Sequence, residues 1–289
     1  MNRLALGTVQ FGIPYGIANQ TGQVTRAMAK AMLKLAAENG IDTLDTAIAY
    51  GESEDCLGEI GTEGFKLVTK LPSVPDGCSD VNGWVQEQVV ASLSRLGVGK
   101  LYGLLLHRPD QLLGLNGKKL YQSLQRLKDD GQVQKIGISI YAPSELDAIT
   151  KLFHLDLVQA PFNLVDRRLL TSGWLQRLRE GGVEIHTRSS FLQGLLLMPY
   201  EVIPSKFTPW AELWSKWQDW LAHHTVTALQ ACLAYPLSFS EIDRVVVGVD
   251  SVSQLAQIIN LAQAKISNDL PDICSEDENL INPAHWSRL

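Results

Sequence analysis

The sequence predicts one α/β domain over residues 1–289, folded as a (β/α)8 barrel. Short apolar segments alternate with amphipathic helical segments, and eight such units fit into about 250 residues, the usual size of this barrel. The apolar segments are almost continuously hydrophobic, as strands of a parallel sheet covered on both faces must be. We predict a barrel core over about residues 3–267 and a polar tail over residues 268–289, which lies over the barrel or is partly mobile.

A doubly wound parallel sheet is the alternative fold. It usually has a GxGxxG turn after its first strand, whereas residues 7–12 here read GTVQFG. The segments Ala27–Asn39 and Val85–Leu96 have apolar residues three and four positions apart and are predicted helices. Asn39–Gly40 and Gly181–Gly182 each join a helix to the next strand and can form its C-cap. The predicted strands are Leu4–Thr8, Thr43–Thr46, Leu67–Lys70, Leu101–His107, Lys135–Ser139, Leu157–Ala160, Val183–Thr187 and Arg244–Val247.

The longest irregular stretch follows the seventh strand. Met198–Pro209 contains three prolines, which exclude a continuous helix there. A loop of this length in a barrel can cover a ligand or be a surface excursion, and the sequence leaves both open. Trp210, Trp214 and Trp217 follow at helical spacing. We expect them to pack between helices, with the edge of a substrate pocket as the alternative.

Composition and charge restrict the classes of partner. Of the 289 residues, 45% are apolar and 19% are charged, so the chain can bury a large core. The net charge is −6, and no run of Lys or Arg is longer than a pair. These features argue against nucleic acids and anionic membranes as partners. A small-molecule substrate is the expected partner, and a monomer is the default oligomeric state.

The cysteines and the N-terminus predict a cytoplasmic protein. Cys56, Cys78, Cys232 and Cys274 form no CxxC pair and lack metal-ligand spacing, so we expect free thiols and no metal site. No stretch approaches the ~20 apolar residues of a membrane span. The apolar stretch at the N-terminus is too short for a signal peptide.

Four polar residues lie at the ends of three successive predicted strands: Asp45 with Tyr50, then Lys70, then His107. A parallel barrel brings the carboxyl ends of its strands to one face, so these side chains should meet. A tyrosine hydroxyl, a nearby ammonium, a carboxylate that holds the ammonium and an imidazole can protonate a carbonyl oxygen while a hydride reaches its carbon. Alone, a strand-end Tyr or His is more often structural. The four together predict a proton-donor site.

Electrostatics support this interpretation. A free tyrosine has a pKa of about 10 and is a sluggish acid at pH 7. An ammonium ~4 Å away contributes about 4 kcal/mol at an effective dielectric of about 20, which corresponds to about three pKa units. Lys70 should therefore make Tyr50 a stronger acid, while Asp45 offsets part of this effect and fixes the ammonium. His107 could share the carbonyl oxygen as a second donor or relay a proton to Tyr50.

The chain resembles the aldo-keto reductase family through most of its length. Residues 45–58, DTAIAYGESEDCLG, are similar to the family's signature of an Asp, four residues, a Tyr and then a Gly-x-Ser-Glu segment. The resemblance implies a TIM barrel, NAD(P)H as cofactor and carbonyl reduction, with Tyr50 as acid, Lys70 and Asp45 as its tuners and His107 as orienter. The other similar segments are KLVTK (66–70), LLLHRPD (104–110), GQVQKIGIS (131–139), VQAPFN (158–163), FLQGLL (191–196) and VVVGVDSVSQL (245–255).

The resemblance also implies cofactor contacts. Ser139 and Gln159 match the positions that hydrogen-bond the nicotinamide carboxamide, whereas the neighbouring Asn of the family is Ile140 here. Where many relatives place an aromatic ring against the nicotinamide, this chain has Arg188. Its guanidinium could stack on the ring, reach the substrate or reach a phosphate. The remaining implied cofactor contacts are Thr8, Ser189, Gly194, Gly248, Asp250, Ser251 and Gln254.

The segment expected at the adenosine end has no cation. Relatives that select NADPH often carry Lys or Arg in the segment aligned with Gly248–Ile258, where this chain has Asp250. A carboxylate repels a 2′-phosphate and accepts a hydrogen bond from a ribose hydroxyl. Gly248 and Ser251 still precede a predicted helix whose N-terminal amides favour anions. The sequence therefore leans towards NADH being usable, although cations from elsewhere, Arg188 included, could bind the phosphate.

Two functions follow as hypotheses. The first is an NAD(P)H-dependent reductase that interconverts an aldehyde or ketone with its alcohol. The second is a non-catalytic nicotinamide-binding sensor with the same fold. The Asp45, Tyr50, Lys70 and His107 set favours the enzyme, because a sensor needs no proton donor.

Overall fold

Eight parallel strands close into a barrel in sequence order in a computed structural model of the protein, and the last strand pairs with the first. The structure describes residues 2–263 and 269–289. The predicted barrel is confirmed and the doubly wound alternative is wrong, while the predicted boundary at residues 267 and 268 lies outside the described residues. The strands are β1 (Leu4–Gly7), β2 (Thr43–Asp45), β3 (Lys66–Leu71), β4 (Leu101–Leu106), β5 (Val133–Ser139), β6 (Leu157–Pro161), β7 (Glu184–Arg188) and β8 (Arg244–Gly248).

The helices alternate with the strands, and side chains cap several of them. The second predicted helix begins at Val81, earlier than expected, because Asp80 accepts a hydrogen bond from the Gly83 N–H. Gly40 and Gly182 have φ values of +71° and +70° at the expected helix ends. The α-helices are α1 (Val9–Gly12), α2 (Arg26–Glu38), α3 (Ser53–Ile60), α4 (Val81–Leu96), α5 (Gly117–Asp129), α6 (Glu145–Ile149), α7 (Arg168–Thr171), α8 (Trp174–Glu180), α9 (Ala211–His224), α10 (Ala228–Leu237), α11 (Val252–Leu261) and α12 (Glu278–Ile281).

The main core lies between the strands and the surrounding helices, and a smaller cluster fills the barrel. Val68, Leu105 and Leu157 form that inner cluster, against which Tyr102 packs. Below it, at the N-terminal ends of the strands, Glu184 accepts hydrogen bonds from Tyr102 Oη (2.6 Å) and Lys135 and pairs with His186 Nε2 (2.7 Å). These polar side chains occupy the barrel at that end, so the opposite mouth is the end available to a ligand.

Burial opposes ionisation of the Glu184 carboxyl, but the hydrogen bonds from His186, Lys135 and Tyr102 hold its pKa well below its usual range. A carboxyl with a lowered pKa in the folded state stabilises the protein above its unfolded pKa of about 4.3, and this stabilisation is lost as the pH falls. We expect Glu184→Gln to lower the free energy of unfolding by about 1.5–3 kcal/mol at pH 7. Denaturant unfolding measures this.

A matched control and a measurement at low pH test whether the charge of Glu184 causes the loss of stability. Glu180→Gln changes an exposed carboxylate whose hydrogen bond, within the residues that the structure describes, is to the Gln176 side chain on its own helix, so stability should change by less than about 0.5 kcal/mol. The difference between the protein and Glu184→Gln should shrink as the pH falls below about 4. A deficit that is equal at pH 7 and at pH 3.5 would contradict the charge-based account.

The sequence predicts that Trp210, Trp214 and Trp217 pack between helices, and this prediction is confirmed for Trp214 and Trp217, whereas Trp210 is only partly buried. Trp214 and Trp217 are buried, and their indole N–H groups donate to Phe207 O (3.1 Å) and Leu196 O (3.0 Å). Trp210 is partly exposed and donates to Asp277 Oδ2 (3.1 Å). The proline-rich stretch before them forms two 3₁₀ segments, Tyr200–Val202 and Ser205–Trp210, and does not line the cavity described below.

The described part of the tail packs on the barrel. Leu280 and Trp286 are buried, and the Ser275 N–H donates to Val165 O (2.9 Å). Arg167 reaches across to Pro271 O (2.7 Å). Cys56, Cys78, Cys232 and Cys274 are all free. Within the described ranges, no helix is long and apolar enough to cross a membrane.

Candidate active site

The four predicted catalytic residues meet at the carboxyl ends of the strands. Lys70 Nζ donates to Asp45 Oδ2 at 2.7 Å and to Thr46 O at 2.8 Å, and the Lys70 side chain is only 1% exposed. The ammonium lies 5.1 Å from the centroid of the Tyr50 ring. The rings of Tyr50 and His107 are 5.9 Å apart and nearly perpendicular. One cluster therefore holds a phenol, an ammonium, a carboxylate and an imidazole.

The residues that follow Tyr50 fix its position. Ser53 Oγ donates to Thr8 O (2.8 Å) and lies within hydrogen-bond distance of the hydroxyls of Thr8 (2.9 Å) and Thr46 (3.0 Å). A Cβ at Gly12 would lie 1.7 Å from Tyr50 O, so only glycine allows this close contact. The Ser of the Gly-x-Ser-Glu segment therefore ties the Tyr50 loop to the ends of β1 and β2.

The Glu of the same segment ties α3 to β3. Glu54 is buried and accepts hydrogen bonds from Thr69 Oγ1 (2.7 Å), Ser92 Oγ (2.7 Å) and Arg95 (2.6 Å). Thr69 directly precedes Lys70 in β3. A buried carboxylate needs hydrogen-bond donors, and here the donors come from two neighbouring elements, β3 and α4. The signature residues thus position the Tyr50 loop and β3 relative to each other.

Electrostatics set the protonation states in the cluster. Burial disfavours the Lys70 ammonium, but the Asp45 carboxylate, together with Tyr50 when its phenol is ionised, outweighs that effect and raises the pKa of Lys70. Burial, with the positive charges of Lys70 and Arg188, lowers the pKa of His107 to about 4. At pH 7 Lys70 is therefore an ammonium and His107 is neutral. A neutral imidazole has one N–H, so it can donate a single hydrogen bond.

A cavity of about 710 Å³ runs from this cluster to the start of α11. Lys70 lies behind Asp45 and Tyr50, outside the lining, and Ser251 caps α11 without lining the cavity. The predicted site residues that line it are Thr8, Asp45, Tyr50, His107, Ser139, Gln159, Arg188, Ser189, Gly194, Gly248, Asp250 and Gln254.

Next to the cluster, the polar side chains form a chain of hydrogen bonds. Gln159 Nε2 donates to Asp45 Oδ1 (2.6 Å), and Ser139 Oγ donates to Gln159 Oε1 (3.3 Å). Both oxygens of the Asp45 carboxylate are therefore occupied, one by Lys70 and one by Gln159. Arg188 donates to Ile140 O (3.0 Å) and Ser189 Oγ (3.1 Å), beside the predicted nicotinamide positions.

The far end of the cavity is built around the N-terminus of α11. Ser251 Oγ accepts from the Gln254 N–H (3.2 Å), and Gln254 Oε1 accepts from the Asp250 N–H (2.7 Å). Asp250 Oδ1 accepts from Asn19 Nδ2 (2.9 Å). Burial raises the pKa of Asp250, and the Asn19 hydrogen bond offsets part of that effect. Among the described lining residues, Arg188 is the permanently charged cation, and it lies at the nicotinamide end predicted from the sequence, away from Asp250.

The loop after β1 also lines the cavity, although no sequence motif indicates it. Tyr15 Oη accepts from Gln193 Nε2 (3.1 Å), and a Cβ at Gly194 would lie 2.5 Å from Ala18 Cβ. The loops after β1 and β7 thus touch above the end of β8, which separates their strands. Ser189, Leu192 and Gln193 have positive φ values of 63°, 47° and 54°, a strained conformation often found at functional sites. The long connection between β1 and α2 was the feature of the sequence that could have indicated a role for this loop in the site.

The cavity fits the nicotinamide dinucleotide that the family resemblance implies. In the described chain, buried Gln10 Oε1 and Ser190 Oγ lack a hydrogen-bond partner, and both residues line the cavity. A Cβ at Gly248 would lie 2.6 Å from Gln10 Nε2, so a larger residue there would require the Gln10 side chain to move. The amides at the start of α11 can bind a phosphate. The described residues include no cluster of three or more His, Cys, Asp or Glu that could hold a metal ion.

Comparisons with known proteins agree with this geometry. A sequence model described as the Aldo/keto reductase family matches residues 3–276. The chain is 25% identical over 179 residues to the aldo-keto reductase YhdN of Bacillus subtilis (strain 168), which covers 58% of this chain and 52% of that protein. It is 27% identical over 210 residues to the uncharacterized oxidoreductase YqkF of the same strain, covering 68% and 67%. The matches thus span about half to two thirds of these curated relatives.

The structural comparison supports the fold. The aldo-keto reductase AKR11C1 from Bacillus halodurans, in its holo form, superimposes with a TM-score of 0.73. The match covers 92% of this chain and 88% of that one at 20% sequence identity. At this identity, the likeness shows the barrel and its connections only.

Proposed function

The chain belongs to the aldo/keto reductase family of oxidoreductases, and from this premise we propose that it reduces an aldehyde or ketone to the alcohol with NAD(P)H. The observation that carries the proposal is the buried Lys70–Asp45 pair, 2.7 Å long, with its ammonium 5.1 Å from the Tyr50 ring in the cavity wall. A buried ion pair is costly to desolvate, so its place beside a phenol hydroxyl in the cavity wall suggests chemistry.

Each residue of the cluster has a defined task in this proposal. When bound, the nicotinamide cofactor supplies the hydride. The Tyr50 hydroxyl donates a proton to the carbonyl oxygen, and the Lys70 ammonium stabilises the phenolate that remains. Asp45 holds the ammonium in place through its 2.7 Å contact. His107 is neutral and donates one hydrogen bond that orients the carbonyl oxygen.

The cofactor contacts form the second part of the proposal. In this proposal Ser139, Gln159 and Ser189 would hold the nicotinamide end of the cofactor, and the α11 amides with Gly248 would hold its phosphates. Thr8 also lines the cavity and would contact the cofactor. The side chains would supply hydrogen-bond donors and acceptors, and the glycine would let the cofactor approach the backbone closely.

A steady-state assay tests the function. The purified protein is incubated with NADH or NADPH and a panel of aldehydes and ketones, and cofactor oxidation is compared with alcohol formation. Stoichiometric alcohol formation supports the reductase. Tight cofactor binding with no turnover of any compound would favour the non-catalytic sensor instead.

Cofactor choice follows from the far end of the cavity. With Asp250 beside the adenosine ribose, a 2′-phosphate would meet a like charge, so we propose that NADH is usable. Asp250→Asn removes the charge and retains an acceptor for Asn19 Nδ2, which now bonds Asp250 Oδ1 at 2.9 Å. We expect it to raise NADPH affinity relative to NADH by about tenfold. Fluorescence titration of both cofactors measures the ratio.

Two further variants sharpen this test. Asp250→Ser removes both the charge and the longer side chain, and should shift the ratio in the same direction. Gln254→Arg adds a cation, and a charge-assisted hydrogen bond of about 1.5–3 kcal/mol corresponds to a shift of about 10- to 150-fold. If the unchanged protein prefers NADPH strongly and no variant alters the ratio, the phosphate is bound elsewhere and the assignment of Asp250 is wrong.

A further inference from the structure

Arg188 is a fixed cation in the cavity wall. It donates to Ile140 O (3.0 Å) and Ser189 Oγ (3.1 Å), and its guanidinium carbon lies 4.8 Å from the centroid of the Tyr141 ring. The side chain is half-buried and lines the cavity. Two of the five guanidinium N–H groups are used in these bonds, which leaves donors for a ligand. Within residues 2–263 and 269–289, no carboxylate forms an ion pair with Arg188.

The carboxylates in the described cavity lining do not neutralise the positive charge of Arg188. The Asp45 carboxylate accepts from Lys70 and from Gln159, so both of its oxygens are engaged. The other carboxylate in the described lining is Asp250, at the opposite end of the cavity. His107 is neutral at pH 7, because burial and the charges of Lys70 and Arg188 lower its pKa to about 4. The reaction end of the cavity therefore carries an excess positive charge.

A guanidinium that is partly withdrawn from water and lacks a counter-ion loses some of its solvation, and a bound anion offsets that loss. Resting on the proposed reduction of a carbonyl group, we propose that the substrate is an anion whose carboxylate or phosphate binds Arg188. The guanidinium fork suits either group, because two parallel N–H donors match two oxygens. The contacts to Ile140, Ser189 and Tyr141 hold the fork in place before the substrate arrives, so little side-chain entropy is lost on binding.

The alternative is that Arg188 stacks on the nicotinamide ring. That ring gains positive charge when it gives up a hydride, and an adjacent guanidinium would oppose this change. An anionic substrate bound to Arg188 would instead offset it. The two roles differ in what they predict for cofactor affinity and for substrate charge, so one set of variants separates them.

Matched substrate pairs test the proposal. 4-Carboxybenzaldehyde is compared with its methyl ester, and glyceraldehyde 3-phosphate with glyceraldehyde, which separates carboxylate from phosphate recognition. We expect the unchanged protein to favour the charged member of at least one pair by about tenfold or more in kcat/KM. Arg188→Met should lower that charged-to-neutral ratio by about 10- to 150-fold. Arg188→Lys retains the charge and should lower it less.

A control variant accounts for general effects of losing an arginine. Arg177 also lies over an aromatic ring, 5.1 Å from the centroid of Trp174, but it is exposed and outside this cavity. Arg177→Met should therefore leave the activity and the charged-to-neutral ratio unchanged. Circular dichroism confirms that each variant is folded before the ratios are compared.

A binding measurement separates this proposal from the proposed function. Benzoate and its neutral analogue benzamide are titrated calorimetrically into each variant, with and without NAD(H). Preference for benzoate that is lost in Arg188→Met supports the anion site, even where no carbonyl compound is turned over and the proposed function fails. Equal kcat/KM for charged and neutral members in the unchanged protein overturns the anion site and leaves the reductase intact. Weakened NAD(H) binding in Arg188→Met with an unchanged ratio also overturns it, in favour of stacking.

Discussion

Tyr50→Phe is expected to lower kcat by ~10²–10⁴-fold, the usual contribution of general acid catalysis. The substitution removes the hydroxyl that would protonate the carbonyl oxygen. It keeps the ring, which lies 5.9 Å from the ring of His107 and 5.1 Å from Lys70 Nζ, so packing should change little. Steady-state kinetics with the best carbonyl substrate measures kcat, and fluorescence titration checks that the cofactor dissociation constant stays within about threefold.

Tyr121→Phe is the matched control for Tyr50→Phe. It also removes one phenol hydroxyl, but that hydroxyl donates to His154 O (2.9 Å) on the outer surface, away from the cavity. Its kcat should therefore match that of the unchanged protein. Near-normal turnover in Tyr50→Phe would remove Tyr50 from the mechanism and leave the proton source unassigned.

The sequence predicts the barrel and the cluster for related physical reasons. Strands covered on both faces must be apolar throughout, so polar residues at their carboxyl ends are easy to recognise in the sequence. Because parallel strands end at one face of a barrel, Asp45, Lys70 and His107 had to approach one another. Tyr50 could be placed with them since only four residues separate it from Asp45. The positions of these residues at or near strand ends therefore predicted that their side chains lie close together.

The loop contacts could not be predicted in this way. Tyr15 meets Gln193, and Asn19 meets Asp250, across residue separations of 178 and 231. Irregular loops have no period from which a direction can be read. The positive φ values of Ser189 and Gln193 depend on the surrounding structure, because non-glycine residues disfavour them. Only the paths of three loops, those after β1, β7 and β8, bring these side chains together.

The state of His107 also required the structure. The sequence leaves open whether this imidazole donates a hydrogen bond or relays a proton. Burial and the nearby cations Lys70 and Arg188 lower its pKa to about 4, so it carries no spare proton at neutral pH. One of these cations, Arg188, comes from β7, far away in sequence. A donor that orients the carbonyl oxygen is the role that this neutral state favours.

Lys70→Met is expected to lower kcat for reduction by about 10³-fold and to move the reverse, alcohol-oxidising reaction to higher pH. The estimate uses the Coulomb energy of about 4 kcal/mol that an ammonium and a phenolate ~4 Å apart have at an effective dielectric of about 20. Methionine keeps the volume and loses the charge that favours the phenolate. The pH profiles of kcat in both directions, with the favoured carbonyl compound and its alcohol, measure the effect.

Stability must be separated from chemistry in this variant. Removing Lys70 leaves the buried Asp45 carboxylate with Gln159 Nε2, 2.6 Å away, as its remaining side-chain donor, and an unpaired buried charge costs about 3–5 kcal/mol. The double variant Asp45→Asn with Lys70→Met removes that charge, so it should recover stability without recovering turnover. Lys66→Met is the matched control, since Lys66 pairs with Asp42 (3.0 Å) at the opposite end of the same strand. If Lys70→Met keeps full activity and an unchanged pH profile, Lys70 serves only as the structural partner of Asp45, and the phenolate must be stabilised by another group.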